Sequence, residues 1–194
     1  MFFERLLLAS GNRRKYEEFL ELLPREAVKE LVFAPDAFPL EVEETGTTYA
    51  MNAILKAQAW ANASRLPSLA DDSGIEVEAL QWRPGVRSAR AVEGSDDVRN
   101  RWLLDQMRGR SDRLAYFVAA VALAVPDGWT LVCEGACRGR LGECGAGENG
   151  FGYDPLFIPD GYGVTMAELS SALKNRISHR ARAVSVLLEI LAEK

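Results

Sequence analysis

The sequence predicts an α/β domain built on a mixed β-sheet. Three observations carry that expectation. Short apolar strands alternate with helical stretches through the first half of the chain. A long hairpin follows in the second half, which adds antiparallel strands to the sheet. The composition, 48% hydrophobic and 26% charged over 194 residues, is that of a globular chain able to bury a full core. No internal repeat, low-complexity tract or linker interrupts it, so a single domain over residues 1–194 is expected.

The elements can be taken in order. Arg5 to Ala9 is a short apolar run that reads as a buried strand, and Ser10-Gly11-Asn12 breaks it. From Arg13, the apolar residues Tyr16, Phe19, Leu20 and Leu23 fall at helical spacing, stopping at Pro24. Another strand is expected around Leu31 to Phe33, then an irregular segment bounded by Pro35 and Pro39. An acidic, threonine-rich lead-in, Glu41 to Thr48, feeds a helix from about Thr48 to Ala63. Its apolar face carries Tyr49, Ala53, Ile54, Ala57 and Trp60, with Thr47 or Thr48 as N-cap.

Leu66 to Ala70 is a second buried run. It delivers the chain to Asp71-Asp72. Ser73-Gly74 reads as a turn, and alternating Ile75, Val77 and Ala79 as a further strand. Trp82 to Arg90 reads as loop. Asp96 to Met107 has the period of a helix, with Val98, Trp102, Leu103 and Met107 on one face. Leu114 to Val125 and Trp129 to Arg140 flank Pro126-Asp127-Gly128, a strong hairpin signal. Gly142 to Gly152 holds five glycines in eleven residues and reads as a mobile loop. A last helix follows Ser178, its buried stripe made by Val184, Leu187, Leu188 and Leu191.

Several function classes are disfavoured by composition. The net charge of −5 opposes bulk nucleic-acid binding, which needs a basic face. No apolar run approaches the roughly 18 residues of a membrane span. The N-terminal stretch has charges inside its apolar run and does not read as a secretory signal, so a cytoplasmic protein is expected. Cys133, Cys137 and Cys144 are odd in number, and the one histidine, His179, lies far from them in sequence. Reduced thiols fit better than a zinc site.

Four segments bear on chemistry. Ser10 to Lys15 lies between strand and helix, where backbone N–H groups and the helix dipole can face an anion, and Lys15 can reach it. A capped helix start with a surface lysine explains it equally well. Glu43-Glu44 and Asp71-Asp72 are two acidic pairs. Together they could hold hard cations and supply a general base; apart, they are a helix lead-in and a polar turn. Asn52 and Lys56 share a helix face. Gly145 to Gly150 matches G-x-G-x-x-G, but Gly152 and Pro155 oppose the helix that a dinucleotide fingerprint must open. In the stretch that follows, Phe151 and Tyr153 could stack on a base. Lys174 and Ser178-His179-Arg180 precede and open the final helix. No nucleophile elbow or similar context would let His179 serve a Ser-His-Asp or Cys-His system.

Seven segments in this order carry a resemblance. They are Ser10-Gly11-Asn12-x-x-Lys15, Glu44-Thr45-Gly46-Thr47-Thr48, Asn52-Ala53-x-x-Lys56-Ala57, Ala70-Asp71-Asp72-Ser73-Gly74, Pro84-Gly85-Val86-x-Ser88-Ala89-Arg90, Gly150 to Pro155, and Ser178-His179-Arg180. The chain resembles the inosine triphosphate pyrophosphatase family, also called XTP/dITP diphosphatases, in its bacterial branch. The resemblance implies an elongated α/β subunit, with a long mixed sheet and two lobes around a substrate cleft, assembled as a homodimer. It implies Mg²⁺-dependent hydrolysis of ITP, dITP and XTP to the monophosphate and pyrophosphate. Carried over by position, Ser10, Gly11, Asn12, Arg13, Arg14 and Lys15 line the triphosphate, and Lys56 adds positive charge. Asp72 is the proton acceptor and a metal ligand, Glu44 the second metal carboxylate, and Ser73 a substrate contact. Phe151, Gly152, Tyr153, Asp154, Lys174, His179 and Arg180 bind the nucleotide, chiefly around the base. Asp71 is at most an assistant. The alternatives are a Maf-like pyrophosphatase with another base preference and a non-catalytic nucleotide sensor.

Overall fold

A computed structural model describes residues 2–37 and 40–193. Strand β1 spans Phe3–Leu8 and helix α1 Arg13–Leu22. Strand β2, Val28–Phe33, runs directly into a single helical turn, α2, Ala34–Ala37. An irregular segment was expected here; Pro35 instead sits in a first helical turn, where its missing N–H is harmless. Pro39 lies outside the described residues. Helix α3 is Tyr49–Ser64, capped by Thr48, whose hydroxyl accepts from Met51 N.

Strand β3, Ser68–Val77, is continuous. It corrects the expected turn at Ser73-Gly74. Asp-Asp-Ser-Gly has turn composition, but neighbours claim the backbone on both sides. Ala9 N donates to Leu69 O (2.7 Å), Ile75 N donates to Ser88 Oγ (2.8 Å), and Glu76 and Val77 pair antiparallel with β4, Arg83–Pro84. Gly74 is not among the positive-φ glycines. The expected loop at Trp82 to Arg90 therefore contains β4 and a 3₁₀ turn over Gly85–Arg90.

Helix α4 is Asp96–Gln106, and the hairpin is β5, Leu114–Ala124, with β6, Thr130–Leu141. Strand β7 is Phe157–Pro159. Helix α5, Ser171–Ile177, has no counterpart in the sequence reading, and α6 is His179–Ala192. The seven strands share one mixed sheet in the order β2-β1-β3-β5-β6-β7, with β4 on β3. β1 is parallel to both β2 and β3, and β6 is antiparallel to β7.

The chain divides into two compact units, Met1–Asp72 with Ala119–Gly135 and Arg180–Lys194, and Ser73–Val118 with Ala136–His179. The core of the first packs Leu6 and Leu8 of β1 and Phe19 of α1 against Val121 and Leu123 of β5 and Val184 and Leu187 of α6. The periodic stripes read from α1 and α6 supply its helical side, except for Leu20 of α1, which is exposed. The core of the second joins Ile75, Leu103, Met107, Phe117, Tyr153, Phe157 and Met166. All three cysteines are free thiols, with Cys133 and Cys137 buried in separate cores.

The glycine-rich loop is docked rather than loose. Ala146 N donates to Pro155 O, Asn149 N to Ala167 O, and Thr165 Oγ1 to Ala146 O, at 2.8–3.0 Å. Gly147 has φ +83°, and a Cβ there would stand 2.4 Å from the Ala167 carbonyl. Gly147→Ala is expected to lower stability by about 2–4 kcal/mol, since backbone cannot yield as a side chain does and the left-handed φ adds strain. Urea denaturation checks this. An unchanged midpoint would mean that the loop is not docked as described.

Candidate active site

The first unit gathers acids and lysines around the middle of β3. Asp71 and Asp72 are consecutive in a strand, so their side chains leave on opposite faces. Each therefore meets a different set of partners.

The Asp72 carboxylate is held by helix α3. Asn52 Nδ2 donates to its Oδ2 at 3.1 Å, and Lys56 Nζ stands 3.6 Å from its Oδ1. The same ammonium donates to Glu44 Oε1 at 2.6 Å and to the Asp71 carbonyl at 2.8 Å. Asn52 is fully buried, and its Oδ1 accepts from Gly46 N at 2.7 Å. One carboxamide thus ties the loop that carries Glu44 to the strand that carries Asp72. Four-residue spacing on α3 puts Asn52 and Lys56 on one face to do this. Burial pushes the Asp72 carboxyl above its ordinary pKa, and nearby Glu44 adds to the rise; Lys56 and the Asn52 hydrogen bond act against it.

Asp71 is wholly buried and faces the other way. Arg180 donates through Nε to its Oδ1 and through Nη2 to its Oδ2, both at 3.2 Å. Lys15 Nζ lies 2.5 Å from Oδ2. Arg180 also donates through Nη1 to Glu18 Oε2 at 2.6 Å and is only 2% exposed. Burial alone would raise the Asp71 pKa, but Arg180 and Lys15 hold it well below the usual carboxylate range. Lys15 is lowered by its own burial, with Lys56 and Arg180 in the same sense and Asp71 opposing.

The loop before α1 takes one of its two readings, the capped helix start. Asn12 is the N-cap, accepting from Arg14 N (3.0 Å) and Lys15 N (3.2 Å), while Ser10 Oγ accepts from Asn12 N. A helix begun by an asparagine satisfies its first donors internally. Arg13 turns to Asp36 (3.3 Å) and lies over the rings of Tyr16 and Phe33. Gly11 and Arg14 are exposed.

The second unit holds the other predicted residues. Ser73 is half-buried on β3. Lys174 Nζ pairs with Asp154 Oδ2 at 2.7 Å and stands 4.9 Å above the Phe151 ring. Asp154 Oδ2 also accepts from Phe151 N at 2.9 Å. Tyr153 was considered as a stacking platform, but its ring is core and its hydroxyl donates to Ser88 O at 2.9 Å. Burial pushes that phenol up to about 12. Phe151 is half-buried. His179 stacks on Phe117, centroids 4.8 Å apart.

So the structure brings together Lys15, Glu44, Lys56, Asp72 and Arg180 in one unit, and Phe151, Asp154 and Lys174 in the other. Three contributors were given no role from sequence: Asn52, Glu18 and Ser88. Asn52 and Ser88 stood within the motif segments, and Asn52 also shared a helix face with Lys56, whereas Glu18 had no signal.

Among the described residues no group of three or more His, Cys, Asp or Glu side chains could hold a metal ion. Glu44 and Asp72 nevertheless fit Mg²⁺. They are two hard oxygen ligands within electrostatic reach of each other, and Mg²⁺ is commonly bound by one or two carboxylates, the rest of its shell being water and substrate phosphate.

A tuned carboxylate, a second carboxylate and two lysines beside a capped helix start define a setting for phosphate-ester or anhydride chemistry. The chain belongs to the Ham1 family, whose profile matches residues 6–190. It is 46% identical over 183 residues to a dITP/XTP pyrophosphatase of Deinococcus deserti, covering 94% of this chain and 86% of that one. It is 42% identical to the dITP/XTP pyrophosphatase of Aquifex aeolicus, covering 96% of each. Among solved structures, a HAM1 protein from Coxiella burnetii superposes with a TM-score of 0.87 at 38% identity, covering 98% of this chain and 99% of that one.

Proposed function

We propose that the chain is a nucleoside triphosphate pyrophosphatase. It hydrolyses ITP, dITP and XTP to the monophosphate and pyrophosphate with Mg²⁺, clearing non-canonical purines from the nucleotide pool. In this reading residues 1–194 act as one catalytic domain of a cytoplasmic homodimer. The observation that carries it is the Asn52–Asp72–Lys56–Glu44 cluster, on a chain 46% identical to a protein named for this activity.

The roles follow from the chemistry of the groups. Asp72 takes the proton of the attacking water. Its raised pKa makes it a better acceptor than an ordinary aspartate. Asn52 holds the carboxylate in one orientation. Lys15 and Lys56 take the negative charge of the triphosphate, and the Ser10 to Lys15 segment lines it without its capped N–H groups. Glu44 and Asp72 would hold Mg²⁺, which would supply charge neutralisation to the phosphoryl oxygens. No covalent intermediate is required, because positioning and charge stabilisation carry most phosphoryl chemistry.

Ser73, Phe151, Gly152, Tyr153, Asp154, Lys174 and His179 serve the nucleoside end. Hypoxanthine and xanthine present a C6 carbonyl, which a donor can recognise, whereas adenine presents an amine that leaves a buried donor unpaired. Phe151 supplies the stacking face, with Tyr153 fixing the loop from behind. The guanidinium of Arg180 is engaged by Asp71 and Glu18, so it serves the site by holding Asp71.

Pyrophosphate release from dITP, XTP, dGTP and dATP, with and without Mg²⁺, tests the proposal. We expect dITP and XTP to exceed the other two by at least about 10²-fold in kcat/KM, the scale of discrimination polar mismatch supports, and activity to vanish without metal. Equal rates on all four would remove the assignment. A different preferred base would favour the Maf-like alternative, and binding without turnover the sensor.

A further inference from the structure

Helix α4 grips Gly152 at both of its backbone groups. Gly152 N–H donates to Asp96 Oδ2 at 2.8 Å, and its carbonyl accepts from Asn100 Nδ2 at 3.0 Å. Asp96 and Asn100 are four residues apart and so occupy one helix face. Arg99 Nη2 lies 2.5 Å from Asp96 Oδ1, leaving Oδ2 turned to Gly152. Gly152 has φ +64°, a conformation glycine adopts without penalty. The two peptide units held are those joining Phe151 to Gly152 and Gly152 to Tyr153. Tyr153 is already fixed by the core and by Ser88. Together with the bond from Phe151 N to Asp154 Oδ2, the grip sets the direction of the segment that presents Phe151.

A second observation separates this from ordinary bracing. Asn100 is 8% exposed, and its Oδ1 is buried with no hydrogen-bond partner among the described residues. Leaving a buried acceptor unpaired costs at least as much as one neutral hydrogen bond returns. As a stability device Asn100 gains little, because the bond it gives to Gly152 O is offset by its own unpaired Oδ1. A polar group kept in an unfavourable environment calls for another reason.

We infer that Asp96 and Asn100 are positioning residues for purine recognition. They orient the Gly152 peptide groups so that Phe151 meets the base, and they set base affinity and discrimination rather than the rate of the chemical step. This rests on the reading that Phe151 to Asp154 bind the nucleotide.

The test compares wild type, Asp96→Ala and Asn100→Leu, each checked for native circular dichroism. Steady-state constants are measured for dITP and dGTP, and IMP binding is measured by calorimetry without metal. We expect both variants to raise the KM for dITP and the Kd for IMP by roughly tenfold, the effect of losing one well-placed hydrogen bond, with kcat within about threefold and a smaller preference for dITP over dGTP. Asn100→Leu exchanges the unpaired Oδ1 for an unpaired Gly152 carbonyl, so its melting temperature should stay near that of the wild type, and weaker binding in a variant that melts as the wild type does could not be attributed to instability. If Asp96→Ala fails to fold, Asn100→Leu alone decides. Wild-type KM, IMP affinity and base preference in a folded Asn100→Leu would overturn the inference, as would a loss of kcat at constant KM. Wild-type protein that neither cleaves dITP nor binds IMP would overturn the nucleotide reading, and the inference with it.

Discussion

Asp72→Asn is expected to lower kcat for dITP by about 10³-fold or more, with little change in the KM, because it removes the group proposed to accept the proton. The substitution is nearly isosteric. Its carboxamide oxygen can still accept from Asn52 Nδ2, so the clamp between α3 and β3 survives. What it cannot do is accept a proton, and its amide group would face the Lys56 ammonium, 3.6 Å from Oδ1 in the wild type. Stability should hold or rise slightly, since burial opposes the ionised form of Asp72. Pyrophosphate release and urea denaturation measured on the same preparation separate the two effects. A variant that turns over at more than about a tenth of the wild-type rate would remove Asp72 from the base role, given the usual size of general-base effects.

Asp71→Asn should show the opposite pattern, a folding defect first. It leaves Arg180 at 2% exposure with Glu18 as its remaining charged partner, and Lys15 without its carboxylate. Breaking a buried ion pair from one side typically costs about 3–5 kcal/mol, and that loss is expected in urea denaturation at neutral pH. The pH dependence carries the sign. Asp71 has a depressed folded pKa, so its contribution is present above the unfolded value of about 3.9 and is lost as pH falls through the folded value. The gap between wild type and variant should therefore be widest near neutrality and close in strong acid. A gap independent of pH would mean that Asp71 acts through shape alone.

These two aspartates also mark where sequence reading stops. The hairpin, α1, α3 and α6 were legible because each repeats its apolar residues at the period of its own secondary structure over many residues. The continuity of β3 was not, since Asp-Asp-Ser-Gly is the composition of a turn and only the hydrogen bonds of Leu69, Ile75 and Val77 to other segments keep it extended. Helix α5 is seven residues long and has too few turns to show a stripe. The site divides in the same way. Asn52 and Lys56 announced a shared face because four residues separate them. The partner of Asp71 is 109 residues away in sequence, and the partners of Gly152 are 52 and 56 away. No local pattern encodes such distances. Tyr153 was misjudged for a related reason: an aromatic in a glycine-rich stretch reads as a surface platform, and only the fold puts its ring in the core.

The alternation of a β-strand gives this pair of aspartates a further consequence. Asp71 and Asp72 differ by one position, yet one is a buried counter-ion to Arg180 and the other is the proposed base. Their identities are interchangeable; their addresses are not. β1 fixes the address by pairing Leu7 with Ser68 and Leu8 with Leu69. A slip of one residue would turn each aspartate to the other face, taking Asp72 away from the face where Asn52 and Lys56 hold it. Both residues would still be present, and the chain would have lost its proposed base without a single substitution. A one-residue insertion or deletion within Ser68–Asp72 should therefore be more damaging to turnover than most replacements of the apolar residues around it.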